Sequence, residues 1–242
     1  LKQHPTDVAA IRMFAEVAAR LGRYPDAAVL LERCLELAPS FTGARHNYAY
    51  VLQRQNKLAR SLEQIDRLLA ADPRNPGYRN LLAAVLGRVG DYDRALKIYA
   101  GVVKEYPSNA KVWMSYGHAL KTAGRHGECV ATYRRAIELS PQLGEVYWSL
   151  ANLKTFRFSD ADVVAMQGQL RRNDLSEEDR FHFHFALGKA FEDARDYARS
   201  FEHYERGNRL RRQMIQYEPE ETSQHMHRSK QLLTREFFTA RQ

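Results

Sequence analysis

The sequence predicts an all-α fold, a right-handed superhelical solenoid of helix-turn-helix repeats, on three observations. Pro5, Pro39, Pro73, Pro107 and Pro141 recur at an unbroken interval of 34 residues, the period of a two-helix solenoid unit. Pro39, Pro73, Pro107 and Pro141 each close an amphipathic stretch (LERCLELAP, IDRLLAADP, YAGVVKEYP, YRRAIELSP). A proline lacks the N–H of a helical residue and disfavours the α conformation just before it, so each stretch reads as a helix that ends there. Gly22, Gly90 and Gly124 fall between the two helical stretches of their units, where a residue past a helix end readily takes positive φ.

Counting back from the prolines gives units 8–41, 42–75, 76–109 and 110–143. Unit 8–41 places Phe14 and Ala15 on a first helix and Tyr24, Ala27, Leu31 and Cys34 on a second. Unit 42–75 repeats this more weakly with Tyr48, Ala49, Leu52, Ser61, Ile65 and Leu68. Leu82, Ala83, Leu86, Tyr92, Ala95, Tyr99 and Val102 serve unit 76–109, and Trp113, Tyr116, Gly117, Leu120, Cys129, Tyr133 and Ala136 serve unit 110–143. Residues three and four apart share a helix face, so the large ones fill the seam while Gly, Ala, Ser or Cys lets the paired helix approach. This is the tetratricopeptide pattern.

Leu1 to Pro5 continues the series backwards, so residues 1–7 read as the end of a truncated upstream repeat and the array is expected to begin before residue 1. After Pro141 the rhythm loosens. A first helix through Val146, Tyr147, Leu150, Ala151 and Leu153 opens a degenerate repeat, 144–175, which TFRFSDAD interrupts. Ser159, with Asp162 three residues on, predicts an N-cap for a helix over 160–172. A further repeat, 176–214, carries Phe185, Leu187, Gly188, Phe191, Tyr197, Ser200, Phe201, Tyr204 and Gly207 but no closing proline, so its second helix is expected to run on through NRLRRQMIQY. Within 215–242 a last helix over 221–240 presents Met226, Leu232, Leu233, Phe237 and Phe238.

Apolar residues make up 44% of the chain and charged residues 27%, a balance that suits a folded protein rather than a disordered one. No apolar run approaches the roughly 20 residues of a membrane helix, and LKQHPTD is not a signal peptide, so a cytoplasmic protein with no membrane partner is expected. Cys34 and Cys129 occupy close-packed repeat positions and read as buried reduced thiols. The net charge of +8 permits attraction to acidic peptides or nucleic acid, while most such charge on a solenoid is solvated surface. Nucleic acid is not expected, because helical-repeat RNA readers put base-contacting side chains at fixed repeat positions and the corresponding residues here follow no code.

No catalytic motif stands in the chain: GxxxxGK[ST], GxSxG, HExxH and paired CxxC are all absent. His182 and His184, and likewise His225 and His227, are two residues apart, which points them about 200° apart on a helix and makes them poor joint ligands. No metal and no cofactor is therefore expected in this chain. Glu177, Glu178 and Asp179 suit a helix N-terminus. The basic run Arg206, Arg209, Arg211 and Arg212 reads as a solvated face, a docking face or a site for an acidic ligand. The first helices of such a stack line its inner groove. Their groove-facing positions hold Arg12, Glu16 and Arg20; His46, Asn47, Tyr50 and Arg54; Asn80 and Arg88; His118, Lys121 and Thr122; and Trp148, Asn152 and Thr155. Amides pair with a peptide backbone, cations with acidic groups, and Tyr50 or Trp148 with an apolar side chain, so an extended protein or peptide partner, acidic where it meets the cations, is the expected ligand.

Three segments, WMSYGHALKTAGR from residue 113, GEVYWSLANLKTFRFSDADV from 144 and DRFHFHFALGKAFEDARDYARSFEHYERGNRLRR from 179, resemble the bacterial tetratricopeptide-repeat sulfotransferases, over about residues 8–218. The resemblance implies an attached sulfotransferase domain beyond the helix TREFFTAR, a loop similar to PRSGST that cradles 3′-phosphoadenylyl sulfate (PAPS), and sulfuryl transfer to a hydroxyl. None of that machinery lies within residues 1–242, so this chain is expected to be the docking region of such an enzyme. The alternative expectation is a freestanding adaptor for protein assembly.

Overall fold

The computed structural model describes residues 6–215 and 218–240, and its regular elements there are all helices. Leu1 to Pro5, the expected end of an upstream repeat, lie outside the described residues. The chain divides into two compact units, Leu1–Leu153 and Lys154–Gln242. The first contains α1 (Val8–Arg20), α2 (Tyr24–Leu37), α3 (Thr42–Arg54), α4 (Leu58–Ala71), α5 (Pro76–Val89), α6 (Tyr92–Glu105), α7 (Ala110–Thr122), α8 (His126–Leu139) and α9 (Gly144–Ala151). The second contains α10 (Asp160–Leu170), α11 (Glu177–Asp193), α12 (Tyr197–Met214), α13 (Pro219–Leu232) and α14 (Arg235–Thr239).

Local chemistry starts the helices where side chains can satisfy the first free N–H groups. Asp7 accepts from Ala9 N at 2.9 Å and Ala10 N at 3.1 Å, and Asn75, followed by Pro76, accepts from Gly77 N at 3.0 Å. Ser159 and Asp162 form a reciprocal capping box that opens α10. The turns inside the helix pairs need a left-handed residue. Gly22, Gly90 and Gly124 supply it with φ of 74°, 96° and 75°, and Asn56 and Arg195 take φ of 61° at the matching turns of their own pairs.

In the first unit each helix packs on the next, α1 on α2, α2 on α3 and so on to α9, which is how stacked pairs bury a continuous core without a single centre. Ala27, Leu31, Cys34, Ile65, Leu68, Val102, Cys129, Tyr133 and Ala136 are all inaccessible to solvent. Burying a side chain such as Leu31 stabilises the pair by about 1.5–3 kcal/mol. The small positions are where backbones meet: Ser61 Oγ donates to Ala49 O at 2.8 Å, and in the second unit Ser200 Oγ donates to Gly188 O at 2.8 Å. Cys34 donates its Sγ–H to Val8 O at 3.3 Å, and burial raises both cysteine pKa values.

The second unit is organised by the α11–α12 pair, with α10 packed on α11. Asp193 holds both Lys189 and Arg157. His184 and His203 face each other across the pair, Nδ1 to Nδ1 at 3.0 Å. Two expectations change here. α9 stops at Ala151 after 8 residues, and Lys154 turns the chain at φ 61°. The single helix expected over 221–240 is two, because Thr234 Oγ1 accepts from Phe237 N at 3.2 Å and starts α14 afresh. None of the described residues of α13 or α14 is buried, so their apolar side chains take no part in the α11–α12 core.

Candidate functional site

The first helices of successive pairs also meet one another in the first unit, α1 with α3, α3 with α5 and α5 with α7. They therefore form the inner side of the stack. Between α5 and α7 this side opens into a cavity of about 350 Å³. Ala83, Ala84 and Gly87 on α5 and Ser115 and Ala119 on α7 give it small walls, Tyr92 and Tyr99 of α6 floor it, and Arg88, His118 and Thr122 stand around it. A Cβ added at Gly87 would meet nothing within 4 Å. The space is open to a ligand side chain because the residues facing it are short.

The groove residues named from sequence divide by what already holds them. Arg12 lies 3.7 Å from Glu16 and over the Phe41 ring at 5.9 Å, while Glu16 also takes Arg20 at 2.8 Å. That end of the groove is neutralised internally. Arg88 donates to Gln53 O at 2.9 Å and reaches Asn56 Oδ1 at 3.4 Å, stapling α5 to the end of α3. Its partners are uncharged, so its positive charge is not cancelled. Arg54 lies over the Tyr24 ring at 5.2 Å, and neither Arg54, Arg88 nor Lys121 makes an ion pair among the described residues. These three side chains thus keep their positive charges on α3, α5 and α7 without an ion pair.

His118 has structural work. Its Nδ1 is 2.7 Å from the Tyr133 hydroxyl and its Nε2 is 3.6 Å from Glu145 Oε1, tying α7 to α8 and α9. His46 packs against Tyr78 with ring centroids 5.5 Å apart, and burial lowers its pKa against the smaller opposing effect of a hydrogen bond to the Gly77 backbone, favouring the neutral ring. Asn47 and Lys121 are half-buried and Tyr50 is exposed. Asn80 is half-buried, and its Oδ1 is itself buried without a hydrogen-bond donor among the described residues, which costs stability. Trp148 is half-buried on α9, Asn152 caps that helix, and Thr155 belongs to the second unit. The sequence reading missed the small-walled cavity. Its signal is Ala84, Gly87, Ser115 and Ala119 at spacings of three and four on two successive first helices, outside the positions that mark the repeat.

Tetratricopeptide-repeat models match residues 18–85 and 80–143. Residues 18–143 belong to the tetratricopeptide-repeat family. The tetratricopeptide chain is 28% identical over 81 residues to small glutamine-rich tetratricopeptide repeat-containing protein 2 of Mycosarcoma maydis, a match covering 34% of this chain and 23% of that one. The match thus spans under a quarter of that relative's length. Among solved structures, a thermophilic tetratricopeptide protein of Thermus thermophilus superposes with a TM-score of 0.62 at 22% identity, covering 74% of this chain and 98% of that one. The structure of pilF from Pseudomonas aeruginosa superposes at 0.57 with 19% identity, covering 80% and 88%. At these identities the likeness is one of fold. Among the described residues no helix is long and apolar enough to cross a membrane.

Proposed function

We propose that this tetratricopeptide chain is an adaptor that holds an extended, acidic segment of a partner protein along the inner side of its first unit. The observation that carries the reading is the cavity of about 350 Å³ between α5 and α7, walled by small residues and bordered by Arg88. One apolar side chain of the peptide enters it, and Arg54, Arg88 and Lys121 attract the peptide's carboxylates. Attraction between exposed charges weakens with salt. Selection from a random peptide library on the immobilised chain tests this: acidic peptides with a central apolar residue should be enriched, and Arg54→Glu or Lys121→Glu should weaken their binding most at low salt. Enrichment without acidic bias defeats the reading.

A second reading rests on the resemblance of the segments at 113, 144 and 179 to tetratricopeptide sulfotransferases. In it the bound peptide is an acceptor, an attached domain uses 3′-phosphoadenylyl sulfate, and the scaffold alone transfers no sulfate. A sulfate-transfer assay on residues 1–242 with radiolabelled donor tests that division; transfer by this chain would refute it.

A further inference from the structure

The 34-residue period sets Tyr99 of α6 level with Tyr133 of α8, and Ala84 of α5 level with His118 of α7. In the later pair the phenol has a partner, with the Tyr133 hydroxyl 2.7 Å from His118 Nδ1. In the earlier pair a methyl group stands where that imidazole would be. Tyr99 is 3% exposed and its ring is stacked on that of Tyr116, with centroids 5.9 Å apart. Its hydroxyl makes no hydrogen bond among the described residues, and burial raises its pKa with no hydrogen bond contributing. A buried tyrosine usually finds a partner for its O–H.

The space that the short side chain leaves is the cavity between α5 and α7, which Ala84 and Tyr99 both line. Gly87, also in the lining, stands level with Gln53 and Lys121, so α5 withholds two side chains from one spot. Other polar groups around the cavity are engaged. Ser115 Oγ donates to Lys111 O at 3.0 Å, Thr122 Oγ1 to His118 O at 2.9 Å, and Arg88 to Gln53 O at 2.9 Å. The Tyr99 hydroxyl is a buried polar group facing a cavity with nothing to bond.

A volume of about 350 Å³ exceeds the roughly 150 Å³ that holds a benzene ring, so a substituted or two-ring side chain fits. An entering side chain strips water from the Tyr99 hydroxyl. One without a polar atom leaves that hydroxyl unpaired at the full cost of its desolvation, whereas an O–H or N–H at the ring edge pairs it. We propose, resting on the adaptor reading above, that the side chain received is a tyrosine or tryptophan, which bonds to Tyr99 as His118 does to Tyr133. The segment that carries it is acidic on either side, complementary to Arg54, Arg88 and Lys121, which have no ion pair among the described residues.

Fluorescence-anisotropy titrations of acid-flanked synthetic peptides with central tyrosine, tryptophan, phenylalanine or leucine test this on the whole chain, on Tyr99→Phe and on Ala84→His. On the wild type the tyrosine and tryptophan peptides should bind at least about threefold more tightly than the phenylalanine peptide. Tyr99→Phe removes a hydroxyl that bonds to nothing in the free chain, so it should keep its urea midpoint, still bind the phenylalanine peptide and lose the preference. Ala84→His gives Tyr99 the partner that Tyr133 has, and should bind the tyrosine and tryptophan peptides no better than the leucine one. Equal affinity for the tyrosine, tryptophan and phenylalanine peptides on the wild type, or a preference that survives Tyr99→Phe, would overturn this assignment and leave the adaptor reading standing. Failure of the whole peptide set to bind would overturn both.

Discussion

Replacing Gly117 with alanine tests the packing that positions the groove. A Cβ there would lie 2.4 Å from Cε1 and 2.5 Å from Cδ1 of Tyr133, whereas carbon atoms pack comfortably at about 3.5–4.0 Å. More than about 1 Å must be recovered by moving a ring that is fully buried and whose hydroxyl is held 2.7 Å from His118 Nδ1. Overpacking a core of this kind costs about 1–3 kcal/mol, against a gain of about 1 kcal/mol from replacing glycine inside a helix. The expected net change runs from about zero to a loss of about 2 kcal/mol. Gly188→Ala, whose Cβ would meet the Tyr204 ring at 2.8 Å, should lose less. Gly127→Ala is the control, with nothing within 4 Å, and should be neutral or stabilising by at most about 1 kcal/mol. Urea unfolding followed by circular dichroism and by tyrosine and tryptophan fluorescence reads all three. A Gly117→Ala protein as stable as Gly127→Ala would show that the α7–α8 contact does not depend on close backbone approach.

The second unit should lose stability in mild acid. Burial, then the charges of His203, Arg206 and Arg180, push the His184 pKa down to about 4, and burial with Arg206 also lowers that of His203, opposed by Glu202. Between the ordinary histidine value of about 6.5 and this lowered value the unfolded chain binds more protons than the folded one, so stability falls as pH falls through that window, by at most about 3 kcal/mol for His184. Urea midpoints measured from pH 7 to pH 4 on wild type and on His184→Phe check this, and equal slopes would contradict it. Ser61→Ala removes one buried hydroxyl whose acceptor is a helical carbonyl, at a position where Ala27 and Ala95 serve the other repeats. It should cost less than about 1 kcal/mol in the same assay, and a larger loss would mean the hydroxyl fixes the α3–α4 approach.

The period made the fold legible because each repeat solves the same packing problem. Cys129, Ser61 and Gly117 are small where a partner helix arrives, and Gly22, Gly90 and Gly124 lie at the left-handed turns. Asn56 and Arg195 escaped notice because tertiary packing overrides their weaker preference for positive φ. Thr234 was hidden within an apolar pattern continuous enough to suggest one helix. The candidate groove was legible as a set of positions, since helical spacing places Arg54, Arg88 and Lys121 on first helices. What spacing could not reveal was which side chains are already engaged. Arg12 is absorbed by Glu16, His118 by Tyr133, and Arg88 by a carbonyl 35 residues away in sequence. Likewise His184 pairs with His203 on the next helix rather than with nearby His182.

Gly87→Leu gives the most direct test of the peptide-binding account. The new side chain projects into the cavity between α5 and α7, meets nothing within 4 Å at its Cβ, and should raise helix stability by about 0.5–1 kcal/mol. A fluorescence-anisotropy titration of a library-selected acidic peptide should therefore show at least a tenfold loss of affinity in a variant whose urea midpoint is unchanged or higher. Undiminished affinity in that folded variant would contradict the claim that the cavity receives the peptide.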